Sequence, residues 1–349
     1  MRVLRSEEAL QLAADILDAA DSPPEESRYV AEVLVRANLA GHDSHGIVRL
    51  PQYVDAIRAR TLRPGAPITV ERETRATAIL NGNRGWGPSV ARRAMQLAIE
   101  KARAVGTGSV AVRGGQHVGR VGEYPTMAAA EGLIGMAFVN SFGYGGAVVP
   151  FGGVEARLAP NPIAFAAPSG GEWPVLVDLT TSVVPEGKVR VARYAGRRLP
   201  EGCLIDAAGN PTTDPAVLYA SPPGALLPLG GIVGHKGTGL AMMSELLGGV
   251  LSGAGTTARR GATGDGNGLF FQAINIADFI PLEEFIQTVQ GVIAWVKSSR
   301  PAAGVDEVLV PGEPEYRTTQ RRLREGIPVD DALWDALDQL ASSLGVVLA

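Results

Sequence analysis

At the start of the chain, apolar residues recur with helical rather than strand spacing. Leu10, Ala13, Ala14 and Leu17 form one stripe, at the three- and four-residue intervals that place side chains on a common helix face. Ser6 stands before it as a capping residue, with Glu7 and Glu8 at the positive end of the helix dipole. A second helix begins near Pro23-Pro24, carries Val30, Val33, Leu34 and Ala37 on one side, and stops at Gly41. A third begins around Leu50, because Pro51 is tolerated only near a helix start, and turns Tyr53, Val54 and Ile57 inward. The intervening residues read as a loop between helices.

From about Ile68 the period shortens to that of strands. Residues 68–70 and 76–80 read as strands, the latter closed by Asn81-Gly82. Pro88 opens a helix with Val90, Ala94, Leu97 and Ala98 on one side. Strands are expected at 108–112, 134–139, 164–167, 175–177 and 270–276, and helices at 122–131 and 239–251. The tail returns to helix at 282–297, 317–325 and 330–344. A helical start, an α/β centre and a helical end predict a mixed α/β (α+β) protein in which both termini build one helical domain. The expected division is 1–67 with 281–349 for that domain and 68–280 for the α/β domain.

Composition narrows the class. With 349 residues the chain is long enough for two domains, and 46% hydrophobic against 19% charged residues is ordinary for a globular protein. A net charge of −4 supplies no footprint for nucleic acid or an anionic membrane. The single cysteine, Cys203, excludes an intrachain disulfide framework and fits a reducing compartment. No apolar run reaches the ~20 residues of a membrane span, and no signal-peptide core follows the basic N-terminus, so a cytoplasmic location is expected.

The residues with chemistry are unevenly placed. Of the 4 histidines, His42 and His45 fall in Gly41-His42-Asp43-Ser44-His45-Gly46-Ile47-Val48-Arg49-Leu50. Imidazole can protonate a carbonyl near neutral pH and guanidinium can grip a carboxylate, which suits reduction of a 2-oxo acid. Arg49 would lie at a helix N-terminus, where anions are favoured. A metal set of His42, Asp43 and His45 lacks both the usual helical His spacing and cysteine partners. A hydrolase built on Ser44 and His45 lacks the Gly-x-Ser-x-Gly elbow. A capped turn with solvated charges, or a binding protein without turnover, remains the plain alternative.

Three further clusters suit a nucleotide. Arg113 to Gly122, containing His117-Val118-Gly119-Arg120-Val121, follows a strand and opens a helix, so its backbone N–H groups can approach a phosphate. His235-Lys236-Gly237 stands before an apolar helix without Walker A spacing. Asp178-Leu179-Thr180 ends a strand with an acid and a hydroxyl suited to a ribose. A Gly-x-Gly-x-x-Ala match at Gly106, Gly108 and Ala111 runs into a strand rather than out of one, so the Rossmann fingerprint fails on context.

These segments, taken in order, resemble the type-2 malate/L-lactate dehydrogenase family: Ser44 to Arg49, His117 to Gly119, Asn161 to Phe165, Asp178 to Ser182, Gly187-Lys188, His235 to Gly237, and the closing Leu309 to Glu313. Pro200 to Asp206 and Ser244 to Leu247 look most like its hydroxycarboxylate dehydrogenase B branch, which reduces 2-oxo acids, bulky aromatic ones included. The resemblance implies a non-Rossmann nicotinamide-binding domain with a mixed sheet, NAD or NADP as cofactor, no metal, and a homodimer. His45 would be the proton donor, Ser44 its orienting partner, and Arg49 the holder of the substrate carboxylate. His117 to Val121, Asp178 to Thr180, and His235 to Gly237 would contact the dinucleotide, with Gly312 and Glu313 closing over it.

Two positions depart from the family. Pro160 stands where members carry a substrate-contacting threonine, and Thr238 where an aromatic residue usually follows the lysine-glycine turn. Lys188, assigned to the catalytic set, stands where an imine-reducing branch has an acid serving its histidine. That favours a hydroxy acid substrate over a cyclic or N-alkyl imino acid, the reading kept as the alternative.

Overall fold

The computed structural model describes residues 2–141, 146–194, 196–258 and 266–347. Strand β1 (Arg2–Leu4) leads into α1 (Ser6–Ala19), α2 (Pro24–Leu39) and α3 (Leu50–Arg58). Arg5, not Ser6, caps α1: Ser6 is already helical, and Glu8 reaches back to accept from Arg5 N at 2.8 Å. The expected stripes bury Ala13, Leu17, Val30, Leu34, Tyr53 and Val54.

The α/β centre follows as β2 (Thr69–Glu73), β3 (Thr77–Asn81), α4 (Gly87–Val105), β4 (Thr107–Gly115), α5 (Glu123–Ala130), β5 (Leu133–Asn140), β6 (Ile163–Ala167) and β7 (Val175–Leu179). Next come α6 (Glu186–Tyr194), the short strands β8 (Leu204–Ile205), β9 (Pro211–Thr212) and β10 (Ala225–Leu226), then α7 (His235–Ser244) and β11 (Asn267–Asn275). Helix α7 starts at His235 rather than Gly239 and continues as π-helix from Glu245 to Leu251. The chain closes with α8 (Leu282–Lys297), α9 (Glu313–Glu325), β12 (Ile327–Val329) and α10 (Asp331–Ser343).

Seven strands form one mixed sheet in the order β2-β3-β4-β11-β5-β6-β7. Only β3 and β4 pair in parallel; every other neighbour is antiparallel. A doubly wound dinucleotide fold needs successive parallel strands around a switch point, so this sheet is not one. Gly106 is the left-handed C-cap of α4, which explains why the glycine match there carries no phosphate site. The antiparallel pairing brings the last residues of β4, β5 and β7 and the first of β6 and β11 to one end of the sheet. A large cavity lies at that end.

The core of the helical layer joins both termini. Residues of α1, α2 and α3 pack with Ile327, Val329, Trp334, Leu337 and Leu340, and β1 pairs with β12. Trp86 is fully buried in the same cluster and donates to Ser22 Oγ at 2.9 Å, which ties the entry of α4 to this layer. Helix α8 contributes no buried residue. A third cluster, around Leu204, Leu226, Val189 and Cys203, forms a small lobe over the sheet end.

Candidate active site

The Gly41–Leu50 stretch is not an open loop. Residues Asp43–His45 and Ile47–Arg49 form two successive 3₁₀ turns, held from beneath by Asn38 of α2. Asn38 Oδ1 accepts from Ile47 N at 2.9 Å and its Nδ2 donates to Asp43 Oδ1 at 2.7 Å. A Cβ on Gly46 would run into that same Asn38 side chain, so the glycine is needed for close approach. From 279 residues away, Arg322 of α9 donates to Asp43 Oδ1 at 2.6 Å and to Oδ2 at 2.9 Å. Asp43 is therefore a clamp for the turn, and among the described residues no three His, Cys, Asp or Glu side chains group to hold a metal.

On this scaffold the expected residues converge. Ser44 Oγ lies 3.1 Å from His45 Nδ1. Arg49 Nε donates to the Ser44 carbonyl at 2.6 Å and Nη1 to Gln52 Oε1 at 2.7 Å, which fixes the plane of the guanidinium. The His45 ring stacks on His117, with centroids 5.6 Å apart and planes 12° from parallel. His117 Nδ1 receives the Gly119 N–H at 3.3 Å and faces Tyr53 Oη at 2.9 Å. A backbone N–H can only donate, so Nδ1 is the acceptor, Tyr53 donates to it, and the proton of the neutral ring sits on Nε2. The first turn of α4 backs this geometry, because Gly87 lies directly on the backbone of Gln116 and His117.

Electrostatics keep both imidazoles neutral. Burial, followed by the charges of Arg49, His42 and Arg120, pushes His45 down to about 3. Burial and then Arg49 hold His117 well below its ordinary value. Burial raises Asp178 in turn, against the pull of Arg120 and of the Gly122 N–H, which donates to Asp178 Oδ2 at 2.7 Å.

His42, Ser44, His45, Arg49, His117 to Val121, Pro160, Asp178 to Thr180 and Lys188 all line one cavity of about 1540 Å³. That is more than the ~300–1,000 Å³ of a usual small-ligand pocket, enough for a dinucleotide beside a small acid. Arg120 Nε, 3.6 Å from Asp178 Oδ2, is buried at this wall and has no hydrogen-bond partner among the described residues, which fits a ligand oxygen. The Pro160 carbonyl is locked by Thr181 N at 2.9 Å, Thr180 Oγ1 at 2.9 Å and Thr181 Oγ1 at 2.8 Å. Lys188 sits in the first turn of α6 next to Gly187, where an added Cβ would lie 2.9 Å from Ser44 Cβ.

Other expected residues lie elsewhere. His235 and Lys236 are exposed at the start of α7, where His235 meets the Phe151 ring edge-on at 5.7 Å, and Gly237 is buried against Leu229. None of the three lines the cavity. Glu313 does not close over it either. Its buried carboxylate is held by Lys297 Nζ at 2.6 Å and Arg317 Nη2 at 2.5 Å, and Gly312 packs on the Pro174 carbonyl. Their neighbours Pro314, Glu315 and Thr318 reach the cavity instead, with Glu315 3.6 Å from His42 Nε2. Sequence reasoning missed Asn38, Gln52, Glu315 and Arg322. Only Gln52, three residues after Arg49, carried a local spacing signal.

Comparison with known proteins shows the family. A sequence model of the malate/L-lactate dehydrogenase family matches residues 4–338. The chain is 40% identical over 347 residues to a malate dehydrogenase of Pyrococcus abyssi, covering 97% of this chain and 94% of that protein. It is 37% identical over 328 residues to hydroxycarboxylate dehydrogenase B of Escherichia coli strain K12, covering 93% and 90%. Among solved structures, a putative malate/lactate dehydrogenase from E. coli superposes with a TM-score of 0.92 at 34% identity, over 99% of this chain and 96% of that one. A delta1-piperideine-2-carboxylate reductase from Pseudomonas syringae superposes with a TM-score of 0.84 at 30% identity, over 98% and 100%. With a family model spanning nearly all of its length and relatives at this identity, the chain belongs to the malate/L-lactate dehydrogenase family.

Proposed function

We propose that this protein is a nicotinamide-dependent reductase of 2-oxo acids, reversible as a 2-hydroxy acid dehydrogenase, with NADH or NADPH as cofactor. The observation that carries the reading is the shared cavity of a fixed guanidinium, Arg49, and a serine-bound imidazole, His45. Arg49 holds the substrate carboxylate, and its orientation by Ser44 and Gln52 reduces the freedom lost on binding. Burial first, and then the positive charge of Arg49, keeps His45 deprotonated; the bound carboxylate offsets the second and so favours proton uptake by the imidazole as the oxo acid enters. His45 then delivers the proton to the carbonyl oxygen, or takes it from the hydroxyl in the reverse direction. His117, neutral with its proton on Nε2, serves as a second fixed donor.

A bound nicotinamide supplies or accepts the hydride at carbon 2 of the substrate. His117 to Val121 and Asp178 to Thr180 would hold the dinucleotide against the sheet end, with Arg120 Nε offering a buried donor. Lys188 adds a positive charge beside the Ser44 turn, and Pro160 gives the substrate pocket an apolar wall. The division into a helical domain (1–67 with 281–349) and a nicotinamide-binding domain (68–280) belongs to this reading, as does a cytoplasmic location. So does a homodimer, supported by the exposed apolar residues Met242, Met243, Leu246, Val250 and Leu251 on α7 and its π-helical continuation.

Imine reduction is the second reading, favoured by the superposition on a piperideine-carboxylate reductase. Against it, Lys188 stands in the first turn of α6, where the imine-reducing branch carries an acid serving its histidine. NADH and NADPH oxidation measured over a panel of 2-oxo acids, with and without ammonia or methylamine, separates the two. Turnover without amine supports the dehydrogenase; turnover strictly dependent on amine replaces it with the imine reductase.

A further inference from the structure

Behind the cavity wall lies a buried carboxylate for which the reaction above has no use. Glu245 sits where α7 passes into π-helix, a local widening that often marks functional regions. Its partners are neutral donors: Asn161 Nδ2 at 3.0 Å, Thr257 N at 2.5 Å and Thr257 Oγ1 at 2.8 Å. A buried carboxylate persists only when its lone pairs are satisfied, and among the described residues three donors satisfy those of Glu245.

The Asn161 end of this network leads to the cavity. Asn161 is fully buried with φ of +28°, a sparsely populated backbone state held by surrounding contacts. Its Oδ1 accepts from Ser141 N at 3.1 Å, and its Nδ2 donates to the Ala241 carbonyl at 3.2 Å as well as to Glu245. The residues on either side, Pro160 and Pro162, line the cavity, and so does Ser141. The wall is thus gripped from two directions, by Thr180 and Thr181 at the Pro160 carbonyl and by Glu245 at the Asn161 amide. The helix carrying Glu245 is seated against the sheet: a Cβ on Gly248 would lie 2.8 Å from the Gly268 carbonyl and 2.9 Å from Asn140 N.

We propose that Glu245 is a positioning residue for substrate: through the Asn161 amide it sets the Pro160–Pro162 wall, and so the room left for the substituent of the oxo acid beside His45. The proposal rests on the 2-oxo acid reductase reading. Glutamine at 245 offers one acceptor oxygen and turns an NH₂ toward either Asn161 or Thr257, while aspartate keeps the charge but is too short to serve both.

The test is steady-state kinetics of Glu245→Gln and Glu245→Asp with pyruvate and with phenylpyruvate, as a small and a bulky substrate. KM for phenylpyruvate is expected to change at least about tenfold, while KM for pyruvate shifts less than about threefold and KM for the nicotinamide cofactor stays within about twofold. Equal shifts for both acids, or a parallel shift for the cofactor, would mean a general structural role and overturn the proposal. Should both variants fail to fold, Thr257→Val, which removes one donor to the carboxylate, decides: it must change the ratio of the phenylpyruvate KM to the pyruvate KM at least about threefold, with Thr257→Ser restoring the wild-type ratio, and an unchanged ratio overturns the proposal. A wild-type enzyme that reduces no 2-oxo acid refutes the functional reading, whereas an active wild type whose Glu245→Gln variant keeps its substrate ratio refutes only the role of Glu245.

Discussion

The imidazole of His45 is useful because it is uncomfortable. Its ring is held neutral first by burial and then by the field of Arg49, and the second influence weakens when a carboxylate arrives. Binding of oxamate, an unreactive oxo acid analogue, should therefore be accompanied by proton uptake. Calorimetry in buffers of different ionisation enthalpy reads this directly, and proton-neutral binding would remove His45 as the donor. Replacing Arg49 with Ala should mainly raise the apparent KM of the oxo acid, and His45→Ala should chiefly lower kcat; an unchanged KM or kcat would contradict the respective role. The same depressed value has a stability consequence. The folded pKa lies below the unfolded value of about 6.5, so the unfolded chain binds the extra proton between those limits. Stability from this group is complete above the unfolded value and lost as pH falls from about 6.5 toward 3. Urea unfolding of wild type should lose up to about 1.4 kcal/mol per pH unit in that window relative to His45→Asn, and parallel curves would argue against a buried neutral ring.

Among elements, the contact between α6 and the Ser44 turn is the most exacting. Gly187 lies so near Ser44 that an added methyl meets Ser44 Cβ at 2.9 Å and approaches Arg49 Nη2 at 3.9 Å. The start of α6 is tied to a neighbouring turn by Tyr219 Oη, which donates to Glu186 at 2.6 Å, and this resists a retreat of the helix. Gly187→Ala should lower kcat/KM for the oxo acid on the order of tenfold or more through displacement of Ser44 and Arg49. Its melting temperature should stay near that of wild type, and full activity would show that the turn can yield without cost. The clamp of Arg322 on Asp43 has a similar logic at longer range. It joins α9 to the catalytic turn, so the C-terminal segment helps to hold the site in shape.

At the scale of the whole molecule, apolar surface is left uncovered on two helices. In addition to the Met242 to Leu251 face, α8 exposes Trp295 to 79% and Val292 to 57%, and it buries none of its residues. Exposed contiguous apolar faces of this kind mark association surfaces. Light scattering should report twice the chain mass for the native protein, and Leu246→Glu combined with Val250→Glu should yield monomer. A double variant that stays dimeric would place the contact on another face, and a monomeric wild type would remove the dimer.

Unlike α6 and the short strands, the α/β class, most of the long helices and central strands, and the clustering of Ser44, His45 and Arg49 could be read from the chain by itself. These depend on local periodicity, on caps, and on chemistry concentrated within a few residues, which need no distant partner to be recognised. The tertiary structure alone decided which of the candidate nucleotide segments share a cavity. His117 and Asp178 meet the catalytic turn because antiparallel pairing brings the ends of β4 and β7 to one side of the sheet. His235 to Gly237 and Gly312-Glu313 look equally suitable in sequence, yet α7 points its first turn outward, and Lys297 and Arg317 claim the Glu313 carboxylate. Arg322 left no local trace, and Glu245 stood out only as part of the Ser244 to Leu247 resemblance and not for any action on the cavity, since a residue that acts through a partner brought close only by folding has no periodicity or spacing to announce it.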